Sequence, residues 1–304
     1  MAGMLHAILG PGGVGGLIGA CLAHAGDRVT MVVRPSALAT FPDSLHLEST
    51  FGTFDVPVER ASQVPSADVL WITVKATELT EALKSVPDPN TEGVVVPLLN
   101  GIDHIAVLSE HFGADRVIPA TFAGETERVA PGRISHPSPF ARLNVAERGR
   151  DQLAGTLAKL HEIGFACSFV ADEATLMWSK LVLLGPLALS TSAAGTPIGG
   201  LVADAQRHQE LEACVREACA VATAEGAYVK AEAVLATIVS LPPGMRSSMQ
   251  KDVERGSPPE LDAIAGPVLR GAARHSIPVP ATQALAAAVE RRLQSNLDSR
   301  SKAS

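Results

Sequence analysis

The sequence predicts an α/β fold in two parts, a parallel-sheet domain over residues 1–171 and an all-helical domain over residues 172–304. Three observations predict this division. Short apolar strand patterns alternate with helical patterns through the first part, and a glycine-rich turn links its first strand to its first helix. From about residue 172 the strand patterns stop and alanine-rich helical patterns replace them. Alternating strands and helices are typical of a parallel sheet, whereas a run of helices is typical of a bundle.

The glycine-rich turn lies between an apolar strand at residues 5–9 and an apolar helix, and a second strand follows at residues 28–33. Its sequence, GPGGVG, has the spacing of a Rossmann-type dinucleotide-binding unit. In such a unit the first glycine allows a sharp turn, the second lets a pyrophosphate approach the backbone, and the third lets the helix pack on the sheet. N–H groups at the helix N-terminus then attract the phosphates. The predicted dinucleotide contacts are Gly10, Gly12, Gly13, Val14 and Gly15.

The end of the second strand indicates which dinucleotide binds. NAD-binding units usually carry an acidic residue there, which binds the ribose 2′-OH. This chain has no acid at that point and has Arg34 instead. An arginine fits a 2′-phosphate through paired, charge-assisted hydrogen bonds. We therefore predict NADP(H) as the cofactor; the alternative is a solvated arginine at a strand end.

Two further polar residues follow strands of the same predicted sheet. Lys75 ends the apolar strand at residues 68–74, and Asn100 follows the strand at residues 94–99. Ligands of open α/β sheets bind beyond the carboxyl ends of the strands, so we expect both residues on the edge that carries the glycine turn. Without that placement, each would be an ordinary strand-end residue.

The remaining segments complete the two domains. Residues 132–145 suggest an antiparallel hairpin with prolines at its bend, and residues 165–170 suggest a last strand. Asp172 can begin a long helix that contains Lys180. Further helices are predicted over residues 204–224, 260–274 and 280–297.

Composition restricts the class of protein. The hydrophobic fraction of 46% and the charged fraction of 19% are those of a folded chain, and the net charge of −7 argues against broad nucleic-acid binding. No apolar run reaches the roughly 18–20 residues of a membrane span, and no signal-peptide pattern opens the chain. The four cysteines form no CxxC pair, and the nine histidines show no metal-ligand spacing. We expect a cytoplasmic enzyme with free thiols and without a metal, nucleic-acid or membrane partner.

Eight short motifs carry a family resemblance. They are GPGGVG at 10–15, VR at 33–34, VKA at 74–76, LNG at 99–101, MWSKL at 177–181, SSMQKD at 247–252, ELD at 260–262 and HSIPVP at 275–280. With these motifs the chain resembles the ketopantoate reductase (2-dehydropantoate 2-reductase) family from residue 4 to about residue 285. The resemblance implies NADPH-dependent reduction of a small 2-keto acid or related carbonyl compound to the alcohol. Were ketopantoate the substrate, the reaction would belong to pantothenate biosynthesis.

The resemblance implies three catalytic residues. Lys180 matches the lysine that donates a proton to the ketone oxygen, Asn100 matches an asparagine near the nicotinamide, and Glu260 matches a carboxylate that helps bind substrate. The chemistry is reasonable in itself, because a lysine suits this role when its pKa falls from the usual value of about 10.4. Partial burial near Trp178 would lower that pKa, and Glu260 would raise it. The alternatives are a helix lysine extended towards solvent and an acid favoured by a helix N-terminus.

The resemblance also implies binding residues. Arg34 matches the arginine of the 2′-phosphate site, Lys75 matches a lysine on the cofactor side, and Ser248 matches a serine that holds the substrate carboxylate. Ser247 stands beside Ser248, and serines are common in turns, so Ser248 is the weakest of these matches.

The chain departs from the family where asparagines are usual. Leu184 and Ala188 lie four and eight positions after Lys180, and Ile198, Met245 and Ala265 also replace asparagines. The four-residue spacing puts Leu184 on the same helix face as Lys180. Because an apolar wall favours apolar bulk, we expect a substrate that is more apolar than ketopantoate.

Two other classes of function remain open, one enzymatic and one non-catalytic. An imine reductase or a β-hydroxy-acid dehydrogenase would use a similar helical second domain. A non-catalytic NADP(H)-binding or regulatory protein would explain the missing asparagines, although it would need no proton donor. The alanine-rich helices could also support a homodimer.

Overall fold

The structure is a computed structural model that describes residues 3–88 and 93–301. The chain divides into two compact units. The first comprises the chain up to Leu99 together with Asp103–Leu176, and the second comprises Asn100–Ile102 together with the chain from Met177 onwards. The division falls inside a long helix, five residues after the predicted boundary at residue 171, and it assigns the segment around Asn100 to the second unit.

The first unit contains the strands. In chain order they are β1 (Leu5–Leu9), β2 (Arg28–Val32), β3 (Ser44–Ser49), β4 (Gly52–Pro57), β5 (Glu59–Ala61), β6 (Val69–Ile72), β7 (Val94–Pro97), β8 (Ala120–Ala123), β9 (Glu127–Ala130), β10 (Arg133–His136), β11 (Ala141–Ala146) and β12 (Phe165–Val170). Its helices are α1 (Gly13–His24), α2 (Pro35–Leu38), α3 (Leu79–Leu83), α4 (His104–Phe112) and α5 (Arg150–Ile163), with 3₁₀ turns at Ala76–Glu78 and Glu147–Gly149.

A parallel sheet of five strands, in the order β5-β2-β1-β6-β7, organises the first unit. Every residue of β6 and β7 is buried, as expected for parallel strands that are covered on both faces. Because β1 lies between β2 and β6, the segments that follow these three strands lie side by side. The predicted parallel-sheet domain with a dinucleotide-type β1–α1–β2 unit is confirmed.

The predicted hairpin over residues 132–145 is wrong. β10 pairs with β3 and β9 in a four-stranded sheet, whereas β11 pairs with β8 and β12 in a different, three-stranded sheet. The prolines between them mark a change of sheet and not a hairpin bend. His136, at the end of β10, is buried, and its Nδ1 lies 2.8 Å from Ser49 Oγ on β3.

The second unit is helical, as predicted. Its helices are α6 (Glu173–Ala194), which begins in the first unit, α7 (Ile198–Ala203), α8 (Ala205–Ala224), α9 (Ala231–Ser240), α10 (Ser248–Glu254), α11 (Leu261–His275) and α12 (Pro280–Ser301). Asp172 begins α6, because its carboxylate accepts hydrogen bonds from Thr175 N at 3.0 Å and from Thr175 Oγ1 at 2.6 Å. One core cluster joins α6, α8, α10, α11 and α12, and many of its members are small, which lets these helices pack closely.

One helix of the described residues is long and apolar enough to cross a membrane, contrary to the expectation that no apolar run reaches that length. An 18-residue window of α6 has a mean hydropathy of 1.3, and 67% of that window is buried inside the protein. The core helix of a folded domain has the same character, so this one helix is weak support for a membrane location.

Candidate active site

The glycine turn is held against the neighbouring strand. Gly10 has a φ of 102°, and a Cβ at this position would lie 2.7 Å from both Val74 Cγ1 and Val74 N. Thr73 Oγ1 donates a hydrogen bond to the Gly10 carbonyl at 2.7 Å. A residue with a side chain would therefore be strained and would also clash, so the sharp turn at the end of β1 requires glycine.

Gly12 and Gly15, the second and third glycines of the GxGxxG spacing, have opposite surroundings. Gly12 is the N-cap of α1, and a Cβ built on it would meet no atom within 4 Å. A Cβ on Gly15 would lie 2.5 Å from the Gly10 carbonyl oxygen and 2.8 Å from Ile8 Cγ2, because α1 packs directly on β1. Since the first turn of α1 carries no acidic residue, this helix N-terminus fits a phosphate group that approaches Gly12.

Arg34 is paired with a carboxylate that is not among the predicted site residues. Its Nη2 lies 2.6 Å from Glu78 Oε1, and both side chains are largely exposed, at 71% and 47%. Glu78 belongs to the 3₁₀ turn that follows Lys75, and its N–H donates to the Lys75 carbonyl at 2.9 Å. The ion pair therefore links the segment after β2 to the segment after β6. A signal was available, because Glu78 stands three residues after Lys75 on the predicted binding edge.

The second unit contains Lys180, Asn100 and Glu260. Asn100 Nδ2 donates a hydrogen bond to Glu260 Oε2 at 2.9 Å. Glu260 is the N-cap residue of α11 and is buried, with 8% of its surface exposed. Lys180 lies in the first half of α6 and is partly buried.

The pKa of Lys180 is lower than that of an ordinary lysine. Burial lowers the pKa of Lys180 from 10.5 to about 8, and the negative charge of Glu260 acts in the opposite direction. A lysine with a pKa near neutrality exchanges its proton readily at physiological pH. The structure thus brings Glu260 into hydrogen-bonding contact with Asn100 and into electrostatic contact with Lys180.

The candidate substrate residues lie in different environments. Ser248 is exposed at the first position of α10. The helix cap is its neighbour Ser247, whose Oγ accepts from Gln250 N at 3.0 Å and lies 2.8 Å from Thr191 Oγ1. Because Ser247 holds the start of the helix, the hydroxyl of Ser248 is not needed for capping.

The two apolar replacements on α6 differ in burial. Leu184 is partly exposed, whereas Ala188 is buried in the helical core together with Met249 and Ile264. Ala265 belongs to the same core. An asparagine at position 188 or 265 would have to find hydrogen-bond partners inside this apolar cluster.

The described residues contain no group of three or more His, Cys, Asp or Glu side chains that could hold a metal ion. The four cysteines are free thiols. Burial raises the pKa of Cys21 and of Cys214 to about 12, so both are unreactive near neutral pH.

Comparison with known proteins identifies the family of this chain. The family model described as ketopantoate reductase PanE/ApbA matches residues 6–149, and the model of its C-terminal domain matches residues 173–293. The chain belongs to the ketopantoate reductase family. The 2-dehydropantoate 2-reductase of Caulobacter vibrioides is 31% identical over 288 residues, which are 90% of this chain and 94% of that relative.

Two other family members are similar over nearly their whole length. The 2-dehydropantoate 2-reductase of Halobacterium salinarum is 28% identical over 289 residues, which are 92% of this chain and 95% of that relative. The crystal structure of a PanE/ApbA family ketopantoate reductase from Ralstonia eutropha JMP134 has a TM-score of 0.85 and 26% identity, and the match covers 97% of this chain and 100% of that one. The predicted family is confirmed, and the chain has the chemistry of the family, oxidoreduction with a nicotinamide dinucleotide.

Proposed function

We propose that this protein reduces a 2-keto acid or a related carbonyl compound to the alcohol with NADPH, and that Lys180 donates the proton. The arrangement of Lys180, Glu260 and Asn100, with the pKa of Lys180 lowered to about 8, is the observation that carries the proposal. A partly buried lysine beside a buried carboxylate is costly for a folded protein, and such perturbed groups cluster at functional sites.

The first unit supplies the cofactor site in this proposal. A bound nicotinamide dinucleotide supplies the hydride. The open space at Gly12 would admit the pyrophosphate, and the N–H groups of Gly13 and Val14 at the start of α1 would hold it. Arg34 would pair with the 2′-phosphate, and Lys75, which is exposed beyond β6, adds positive charge on the same edge of the sheet.

Lys180 is the proton donor to the carbonyl oxygen of the substrate in this proposal. Below pH 8 its ammonium group is mostly charged, and it donates a proton to the carbonyl oxygen as negative charge develops there. Glu260 keeps the pKa of Lys180 from falling further, because its carboxylate stabilises the ammonium form. Asn100 fixes the orientation of that carboxylate through the bond to Oε2.

We expect the substrate of this enzyme to be more apolar than ketopantoate. Leu184 is one helical turn after Lys180, partly exposed, and it cannot hydrogen-bond a hydroxyl group. The buried Ala188 adds no polar group on the same helix stripe. Ser248, exposed at the start of α10, remains the proposed contact for the substrate carboxylate. A cytoplasmic location and a homodimer stay predictions.

NADPH oxidation against a panel of substrates tests the proposal. The panel contains ketopantoate, branched and aromatic 2-keto acids, and cyclic imines. We expect the highest kcat/KM with a branched or aromatic keto acid. Preference for cyclic imines would instead favour an imine reductase, and NADPH binding without any turnover would favour a regulatory protein.

A pair of leucine-to-asparagine variants tests whether Leu184 contacts the substrate. Leu184→Asn restores an amide beside Lys180 and should raise kcat/KM for ketopantoate relative to the aromatic keto acids by roughly tenfold, since a hydrogen bond to a substrate hydroxyl discriminates strongly. The control is Leu241→Asn, a partly exposed leucine at the end of α9. A Leu184→Asn variant whose ratio of kcat/KM values for ketopantoate and the aromatic keto acids shifts no more than that of Leu241→Asn would refute the assignment of Leu184 to the substrate site.

A further inference from the structure

We propose that Glu78 lets this protein also use NADH, because it binds the ribose 2′-OH of NADH and competes with the 2′-phosphate of NADPH for Arg34. This inference rests on the proposed function, since it assigns a residue to the same cofactor site. It also revises the simple sequence rule, by which Arg34 alone would select NADP(H).

The order of the strands places Arg34 and Glu78 beside the glycine turn. Arg34 follows β2 and Glu78 follows β6, and these strands flank β1, whose carboxyl end carries the glycine turn. The 2.6 Å contact between Arg34 Nη2 and Glu78 Oε1 therefore spans the edge of the sheet beside that turn. This is the edge where the ribose of a bound dinucleotide lies in proteins with this topology.

The carboxylate and the guanidinium of this pair suit different groups on the ribose of a dinucleotide. Dinucleotide-binding folds use an acid to bind the 2′-OH of NAD and an arginine to accommodate the 2′-phosphate of NADP. This chain has both groups at one place, and the acid comes from the neighbouring connection and not from the end of β2. An ionised carboxylate only accepts hydrogen bonds, so Glu78 suits a hydroxyl donor and repels a phosphate.

The ion pair between Arg34 and Glu78 is open to solvent. The two side chains are 71% and 47% exposed, and exposed ion pairs are held weakly. A ligand can therefore exchange with either partner without unfolding its surroundings. With NADPH, Arg34 must share its donors between Glu78 and a phosphate of about −2 charge, and the two anions repel each other. With NADH, that repulsion is absent.

Binding titrations test this inference without relying on turnover. The dissociation constants of NADPH and of NADH are measured by nicotinamide fluorescence for the wild type, Glu78→Gln and Arg34→Gln. Glu78→Gln should tighten NADPH roughly three- to tenfold and weaken NADH, because it removes one anion and one strong acceptor. Arg34→Gln should weaken NADPH and leave NADH nearly unchanged.

The matched control is Glu81→Gln, which changes the net charge equally. Glu81 is exposed on α3 and pairs with Lys84 at 2.5 Å, so we expect it to leave both constants unchanged. The effect of Glu78→Gln on NADPH should also shrink between 50 mM and 500 mM salt, because exposed charges are screened.

The outcomes separate the two proposals. A wild type that binds neither dinucleotide contradicts the proposed function and, with it, this inference. If the wild type binds a dinucleotide but Glu78→Gln changes the NADPH to NADH ratio no more than Glu81→Gln does, the role of Glu78 is refuted while the proposed function stands.

Discussion

Asn100 Nδ2 donates a hydrogen bond to Glu260 Oε2 at 2.9 Å, although 160 residues separate the two in the chain. Glu260 is buried at the start of α11, and its charge raises the pKa of Lys180 against the effect of burial. One carboxylate therefore connects the amide to the lysine, and each of the three can be tested separately.

The pH dependence of reduction should follow Lys180. Because the reaction needs the protonated amine, kcat/KM should be constant below about pH 7 and fall as the pH rises through about 8. Glu260→Gln removes the charge that stabilises the ammonium form, so the alkaline limb should move to lower pH. Initial rates between pH 5.5 and 10 measure the plateau and the alkaline limb in both enzymes. The same limb in wild type and Glu260→Gln would contradict the coupling between the two residues.

Asn100→Ala should lower kcat by roughly ten- to a hundredfold, because Glu260 loses the partner that orients it. The alkaline limb of the pH profile should persist, since Glu260 keeps its charge. Asn144→Ala is the control, because the Asn144 side chain accepts a hydrogen bond from Ser168 in the first unit, at 2.7 Å. Equal losses in the two variants would indicate a general structural effect.

The two glycines Gly12 and Gly15 should respond differently to alanine. Gly12→Ala puts a methyl group into open space at the helix N-cap, so the Tm should change by about 2 °C or less while NADPH binding weakens at least about tenfold. Gly15→Ala forces a methyl group against Ile8 and the Gly10 carbonyl, which should cost about 1–3 kcal/mol of unfolding free energy. Thermal melts and fluorescence titrations distinguish the two effects. Normal NADPH binding by Gly12→Ala would argue against a phosphate site there.

A polar network around the buried His6 on β1 should make the first unit sensitive to acid. His6 Nδ1 accepts a hydrogen bond from Trp71 Nε1 at 3.2 Å, and His6 Nε2 lies 3.3 Å from Asp27 Oδ2. The other carboxylate oxygen of Asp27, Oδ1, accepts a hydrogen bond from the Lys159 ammonium. Burial lowers the pKa of His6 below 6.5, although Asp27 opposes the shift. The folded state therefore binds fewer protons than the unfolded state, and stability should fall as the pH drops below 6.5.

Urea unfolding at pH 7.5 and 5.5 measures this sensitivity. His6→Gln should cost about 1–3 kcal/mol at pH 7.5, because it weakens a buried network, and should lose part of the pH dependence. Stability that changes with pH equally in wild type and variant would show that His6 is not the titrating group.

Local features of the sequence were predictable, and long-range pairings were not. The β1–α1–β2 unit was predicted because each of its signals lies within thirty residues and each glycine has a local reason. The hairpin at residues 132–145 was predicted wrongly, because the partners of β10 and β11 come from distant strands that no local turn signal specifies. The prolines marked the break between them but not its direction.

For the candidate active site too, single residues were predictable from local signals, and the pairs they form were not. Arg34 was predicted from its position at a strand end, whereas its partner Glu78 lies 44 residues further along and is exposed. Only the short distance of Glu78 from Lys75 in the sequence indicated its place, and that signal does not show which residue it pairs with. Lys180, Asn100 and Glu260 came together in the prediction only through the family resemblance, since the sequence itself does not say which residues end up adjacent. The direction of the Lys180 pKa shift was expected from burial, but its size depends on packing.

The most direct measurement is kcat/KM for the best keto acid at pH 7 in Lys180→Ala, beside Lys84→Ala as a surface-lysine control. Loss of the proton donor predicts a fall of about 10²–10⁴ in Lys180→Ala, with an unchanged dissociation constant for NADPH and no loss in the control. A Lys180→Ala enzyme within about threefold of the wild type would contradict the assignment of Lys180 as the proton donor.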